Sequence, residues 1–209
     1  MDWQQILKNK QQTFNWSDKI PDRKIIDQIL DELHNYCPSK QNSVPYKIEV
    51  LDWSNKERRN QIFKDTWCES DTLDDRRNPQ VLAPYLVIFS YRSHDYDHSY
   101  DYINHSKYNK DITETGLAPP WHHSMETGLA SMFLVLSAVN HGLDYGFCGC
   151  YRGKEDMSIA IGLGYAGEYM GEYWNPVLQK NVKTTGKKKY FKEQENFPKP
   201  NKSNYIKFD

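Results

Sequence analysis

Long apolar runs are missing from this chain of 209 residues. No stretch approaches the roughly 20 apolar residues that a membrane helix needs. The opening residues, MDWQQILKNKQQ, lack the apolar centre of a secretion signal. Cysteine is scarce: Cys37, Cys68, Cys148 and Cys150 are the only four, too few for a disulfide scaffold at this length. Cys148 and Cys150 are too close in sequence to bridge easily, and a Cys-x-Cys pair without a matching second pair makes a poor zinc site. These absences lead us to expect a cytoplasmic, reducing setting and no membrane partner. An excess of one charge is missing too. The 27 Lys and Arg against 28 Asp and Glu leave a net charge of −1, so no overall field draws the chain to nucleic acid. Neither G-x-G-x-x-G nor G-x-x-x-x-G-K-[ST] follows an expected strand, so the common nucleotide cradles are absent.

Hydrophobic residues make up only 38% of the chain, which implies a thin core. Fifteen Tyr and six Trp partly compensate, because aromatics bury large areas while keeping a polar tip. A thin core is easier to stabilise when two copies share one. The length suits one domain over 1–209. Along it, Asp2 caps a short helix over 2–11 with Trp3, Ile6 and Leu7 on one face. DRKIIDQILDELHNY, after Pro21, sets Ile25, Ile26, Ile29, Leu30 and Leu33 at helical spacing, and Pro38 stops it. YKIEVLD alternates as a half-buried strand. SNKE at 54–57 has the form of a capping box opening a helix to about Cys68. VLAPYLVIFSY is apolar almost throughout, as a strand buried on both faces should be. SMETGLASMFLVLSAVNHG predicts a helix buried nearly all round and ended by Gly142. MSIAIGLGY is a further strand. Residues 93–120, rich in Tyr, Asp, His and Asn, predict a surface excursion, and 168–209 an extended polar arm. The order of elements gives a mixed α and β protein with few strands.

The joint PSKQNSVPY (38–46) holds more hydrogen-bonding chemistry than a turn requires. It matches the pattern P-S-x-x-N-x-x-P-aromatic that follows the second helix of FMN-dependent nitroreductases. In the same order, KNKQQTFNW stands where that family carries Arg-Arg-Ser. LAPYLVIFSY resembles its Ala-Pro strand, and GLASMFLVLSAVNHGLDYGFCGCY its central helix, Gly-Leu turn and flavin loop. IAIGLGYAGE resembles its late strand, and the lysines at 187–189 occupy the place of its C-terminal basic residue. The resemblance spans roughly nine-tenths of the chain, each motif being loose and the order carrying the case.

The resemblance implies a three-layer α/β (α+β) fold with a mixed central sheet flanked by helices, working as a homodimer with FMN at the shared interface. NADH or NADPH would reduce the flavin in a ping-pong cycle, and a small electron-poor acceptor such as a nitroaromatic or quinone would take the electrons. No side chain need act as a nucleophile, since the cofactor carries the chemistry. It also implies roles for particular residues. Lys10, Gln11 and Gln12 would lie at the phosphate, aided by Lys188 and Lys189. Pro38, Ser39, Lys40 and Asn42 would meet the polyol and the flavin edge. Phe147, Cys148, Gly149 and Cys150 would present main-chain N–H groups, Gly146 and Gly149 letting the chain come close. Trp121, His122 and His123 would shape the acceptor pocket. Three departures stand out: Lys-Gln-Gln replaces Arg-Arg-Ser, the helix before the late strand is nearly deleted to RGKED, and point-charge lysines replace a forked arginine.

Other readings compete. PSKQNSVPY also reads as a Pro-rich turn whose Ser and Asn bond to their own backbone; lysine runs are usually solvated; and Trp121 to His123 fit an aromatic staple with exposed histidines. His94, His98 and His105 among Asp95, Asp97 and Asp101 could form a metal site. A flavin-sequestering or flavin-sensing module without turnover, and a relative using reduced flavin with oxygen to modify a ring compound, complete the alternatives.

Overall fold

A computed structural model of the chain describes residues 2–9, 12–13, 16–39, 44–65, 78–91, 120–149, 157–167, 172–175 and 180–183. Helix α1, Trp3–Asn9, starts where the Asp2 carboxylate accepts the Gln5 N–H at 3.0 Å. Ile6 is buried, but Trp3 is 59% exposed. Helix α2, Arg23–Tyr36, is capped by Asp22, whose carboxylate accepts the Lys24 N–H. It buries Ile26, Ile29 and Leu33 and stops at Cys37, one residue before Pro38.

Strand β1, Tyr46–Leu51, leads to α3, Lys56–Asp65. The expected capping box does not form: the Ser54 hydroxyl donates to the Asp52 carboxylate at 2.6 Å instead of serving the helix. The helix is described as far as Asp65, and Thr66 to Cys68 of the expected span lie outside the described residues. Val81 and Leu82 belong to a 3-10 helix, Pro79–Leu82, and β2 begins only at Tyr85. Pro84 has no N–H to give a ladder, so the strand starts after it.

Strand β2, Tyr85–Tyr91, is followed in the described chain by α4, Pro120–Asn140, β3, Asp144–Cys148, and β4, Met157–Gly164. The strands order as β1-β2-β4-β3, and every pairing is antiparallel. The expectation of a mixed sheet is corrected: among the described residues the only parallel link is an isolated bridge between Gln12 and Tyr145. Of the expected flavin loop at 146–150, residues 146–148 are likewise strand β3. Within the expected extended arm, β5, Glu172–Asn175, and β6, Lys180–Lys183, pair as a separate antiparallel hairpin.

One sheet face carries Tyr46, Tyr85, Val87, Phe89, Tyr145, Ile161 and Leu163 against α1, α2 and α4. The other carries Leu86, Ile88, Ala160 and Cys148 against Trp16, α3 and the 3-10 helix. That makes three layers, α over β over α. On the second face, Arg59 of α3 is fully buried. Its guanidinium donates to the carbonyls of Pro84 (2.8 Å), Val81 (2.8 Å) and Ala83. Burial pushes this guanidinium down to about 9, opposed by the Asp52 carboxylate. Three carbonyls at one bend are thereby satisfied by one planar fork.

Helix α4 is not buried all round. Ala130, Leu134, Val135, Ala138 and Val139 face the core, while Met125 and Leu129 are 46% and 49% exposed. It ends at Gly142 with φ +78°, the Leu143 N–H returning to the Ala138 carbonyl at 2.9 Å, as a left-handed cap requires. This tight turn sends β3 back beneath the helix. The register pairs Tyr46 with Tyr91, Ser90 with Met157, and Cys148 with Ala160. The start of β1, the ends of β2 and β3 and the start of β4 therefore lie at one end of the sheet. Helix α4 is about 30 Å long, so its first turns reach that same end.

Candidate functional site

Three segments far apart in sequence thus lie at one end of the sheet, β1 and β3 being its two outer strands: the residues just before β1, the first turns of α4, and the exit from β3. Electrostatics support this convergence. Burial pushes the Cys37 thiol up; the Glu126 carboxylate of α4 adds to the rise and a hydrogen bond with the Tyr46 hydroxyl opposes it. The end of α2, the start of β1 and the second turn of α4 are therefore within electrostatic reach of one another. Glu126 and Thr127 are both buried, and neither was singled out by the sequence. An acid inside an otherwise apolar helical run was the available signal.

The joint itself is closed by a hydrogen bond from the Val44 N–H to the Ser39 hydroxyl oxygen at 2.9 Å. The competing turn reading is realised to this extent. The hydroxyl proton of Ser39 remains to donate elsewhere, since its oxygen is the acceptor here. Pro38 is exposed and Ser39 half-buried. Lys40 and Asn42 lie outside the described residues.

At the outer edge of β3, the Gln12 side-chain amide donates to the Phe147 carbonyl at 3.1 Å, and the Thr13 N–H donates to the Tyr145 carbonyl at 2.7 Å. The outward carbonyls of this edge strand are thereby paired. The Phe147 ring is half-buried and meets Tyr145 edge-on, with centroids 5.4 Å apart. Cys148 is buried between the sheet and the second layer, a packing position. Gly146 is corrected as a place of close ligand approach: a Cβ there would meet the Thr13 carbonyl oxygen at 2.5 Å and the Gln80 side chain at 3.0 Å. Protein, not ligand, fills its missing side chain. Gly149 is different, with nothing within 4 Å of a Cβ placed on it.

Trp121, His122 and His123 stand within the first turn of α4, not ahead of the helix as expected. Lys10, Gln11, Cys150, Lys188 and Lys189 lie outside the described residues. So do His94, His98 and His105 of the candidate metal site. Among the described residues no group of three or more His, Cys, Asp or Glu is placed to hold a metal ion. No described helix is long and apolar enough to cross a membrane.

By sequence, the chain matches no family model and no curated protein. Its structure is similar to many solved ones. A nitroreductase family protein from Clostridium difficile 630 aligns over 100% of this chain and 99% of its own, with a TM-score of 0.59 and 13% identity. The chain has the nitroreductase fold. An enone reductase of a gut-bacterial fatty acid saturation metabolism shares that fold with a TM-score of 0.61 and 16% identity, over 80% of this chain and 90% of its own. A nitroreductase-fold protein from Exiguobacterium sibiricum 255-15, solved in complex with FMN, aligns at a TM-score of 0.56 and 17% identity over the same shares. The order of motifs along the sequence and the nitroreductase fold agree.

FMN asks for cations at its phosphate, donors along its polyol and open main chain against its flat ring. The described residues fit the second and third needs. Ser39 keeps a hydroxyl proton to donate, the main chain at Gly149 has room beside it, and the Phe147 ring flanks the same strand end. Every lysine proposed for the phosphate lies outside the described residues.

Proposed function

We propose that the chain is an FMN-dependent oxidoreductase that takes electrons from NADH or NADPH and delivers them to a small electron-poor acceptor. The observation carrying this reading is that Pro38 and Ser39, Val44 and Pro45, the first turns of α4 and the exit of β3 lie at one end of the sheet, in a nitroreductase fold. When bound, FMN would supply the redox chemistry, accepting hydride from the nicotinamide and releasing electrons to the acceptor.

The chain's own task is to bind and orient. Ser39 and its joint meet the polyol side, with Asn42 as the residue between its ends suited to the flavin edge. The open main chain at Gly149 approaches the ring. Lys10, Lys188 and Lys189 neutralise the phosphate dianion by charge-assisted hydrogen bonds. Trp121, His122 and His123 border the acceptor side. Nitroaromatics and quinones are the laboratory acceptors to try first.

A second copy of the chain completes the site in this proposal. Met125 and Leu129 are four residues apart and therefore neighbours on one helix face. Both are about half exposed, and large apolar residues adjoining on a surface mark association sites. The small core and the polar C-terminal segment favour the same arrangement.

The deciding experiment is the visible spectrum of the purified protein, before and after adding FMN, followed by aerobic NADH and NADPH oxidation. Flavin absorbance near one FMN per chain, and its bleaching by reduced nicotinamide, are expected. A chain that stays colourless in excess FMN sinks the reading.

A further inference from the structure

Strand β3 is an outer strand of the sheet, with β4 as its strand neighbour among the described residues. In an antiparallel pair, successive residues turn their N–H and C=O groups alternately to the neighbour and away from it. Tyr145 and Phe147 belong to the set turned away, since their carbonyls are reached from the N-terminal segment. The Tyr145 carbonyl takes a main-chain donor, the Thr13 N–H at 2.7 Å. The Phe147 carbonyl takes a side-chain donor, the Gln12 amide at 3.1 Å. Gln12 itself bridges Tyr145 in the parallel sense, so its side chain extends a ladder that its main chain begins. A carbonyl only accepts, which fixes the Gln12 amide with its nitrogen toward Phe147. The next residue in the alternation is Gly149, exposed and with nothing within 4 Å of a Cβ placed on it. Gln12 thus grips the strand just before its main chain opens.

We infer that Gln12 is a positioning residue, a strap that holds the exit of β3, from Phe147 to Gly149, in place for the flavin ring. This rests on the flavin reading above and deepens it, for the resemblance alone would put Gln12 at the phosphate. The bond ends on a carbonyl of the strand, so its effect on the flavin runs through Phe147, Cys148 and Gly149. Phe147 also carries the ring that meets Tyr145 edge-on. Without the strap the exit loses its outer hold, and binding must order it again. That cost falls at the ring end of the ligand, which FMN and riboflavin share.

Gln12→Met keeps the length of the side chain and removes the donor. In fluorescence titrations of the full-length protein it should weaken FMN and riboflavin alike by roughly three- to tenfold, the worth of one neutral hydrogen bond. Gln12→Lys, which restores a donor of similar reach, should bring riboflavin back to within about threefold of wild type. A loss confined to FMN, no loss for either flavin, or a Gln12→Lys variant that binds riboflavin no better than Gln12→Met overturns the strap. A thermal melt checks that each variant folds. Hydrogen exchange of the flavin-free protein reads the same contact without the ligand. The Cys148 N–H, turned to β4 opposite Ala160, should exchange at least about threefold faster in Gln12→Met than in wild type. Unchanged exchange at Cys148 overturns the strap whether or not flavin binds. If wild type binds no flavin, the oxidoreductase reading falls and the Cys148 amide alone decides the strap.

Discussion

The side-chain amide of Gln12 donates to the Phe147 carbonyl at 3.1 Å, tying a residue near the N-terminus to the outer edge of β3. An edge strand with unpaired carbonyls invites other chains, and here two are taken, one by a side chain and one by the Thr13 N–H. The same contact places the stretch after Lys10 beside the end of the sheet where the flavin is proposed to sit.

Replacing Gln12 by Ala should therefore lower stability by about 0.5–1.5 kcal/mol, the ordinary worth of one such bond. Gln12→Glu should cost more, since an ionised carboxylate would face a carbonyl oxygen. Urea unfolding of both variants measures the difference. Glu proving as stable as Gln would show that this contact does not hold the segment.

Glu32 of α2 links two residues at the far end of α4. Its carboxylate accepts the Ser137 hydroxyl and the His141 ring nitrogen, the latter at 2.8 Å. Burial works against ionisation, but the bonds from Ser137 and His141 and the charge of His141 outweigh it, leaving the Glu32 carboxyl below its ordinary range. A carboxyl with a depressed folded value contributes stability that is present above the unfolded value, about 4.3, and lost as pH falls through the folded one. Because the pair is partly exposed, with side chains 34% and 22% accessible, Glu32→Gln should cost only about 1 kcal/mol near pH 7. Urea midpoints of wild type and variant should draw together as pH falls below the ordinary carboxyl range and through the folded value. A gap that does not narrow with acidification would assign the loss to packing.

How far the sequence disclosed this depended on whether a signal was local. The amphipathic run after Pro21, Gly142 after an apolar one, and the apolar stretch from Tyr85 to Phe89 each act within one element, and each stands where the pattern put it. Long-range placement was hidden. Val81 and Leu82 read as strand because apolar residues suit both states; the Arg59 fork and Pro84 decide for the 3-10 bend. GFC read as a loop by its resemblance to the flavin loop, yet it is strand, and Gly146 serves the close approach of Thr13 and Gln80. Serine and asparagine in PSKQNSVPY announced hydrogen bonding without saying to what, and the Ser39–Val44 contact answers half of that. Buried Glu126 interrupts an apolar run, and only the fold brings it within electrostatic reach of Cys37.

Aspartate at both Met125 and Leu129 should convert the protein to a monomer in sedimentation velocity at micromolar concentration, because two buried charges at an interface centre are strongly unfavourable. Retention of FMN should fall with it if the partner copy completes the site. Wild type sedimenting as a flavin-loaded monomer would remove the dimer from the proposal.

Charge reversal at Lys10, or at Lys188 and Lys189 together, should weaken FMN far more than riboflavin. Phosphate is the only part of the ligand that separates the two. Loss of a charge-assisted contact is worth about 1.5–3 kcal/mol, roughly ten- to a hundredfold in affinity. Fluorescence titration with each flavin measures it, and an equal loss for both would place these lysines away from the phosphate.

No histidine should prove indispensable to turnover. His122 and His123 occupy the first turn of α4, at the end of the sheet where the acceptor is proposed to enter, so they can touch an acceptor without being needed for the first half-reaction. Hydride passage between stacked rings depends on their alignment, and protons can come from water at an open interface. An essential acid or base contributes about a hundred- to ten-thousandfold in rate. Alanine at both positions should therefore shift acceptor preference or KM while the rate of flavin bleaching by NADH or NADPH changes by much less. The same holds for His94, His98 and His105, where a metal-dependent reaction would instead collapse and respond to chelators. Stopped-flow bleaching without acceptor isolates the step. A hundredfold slowing in any histidine variant that still retains FMN would require a protein acid or base in the hydride step, and the mechanism proposed here has none.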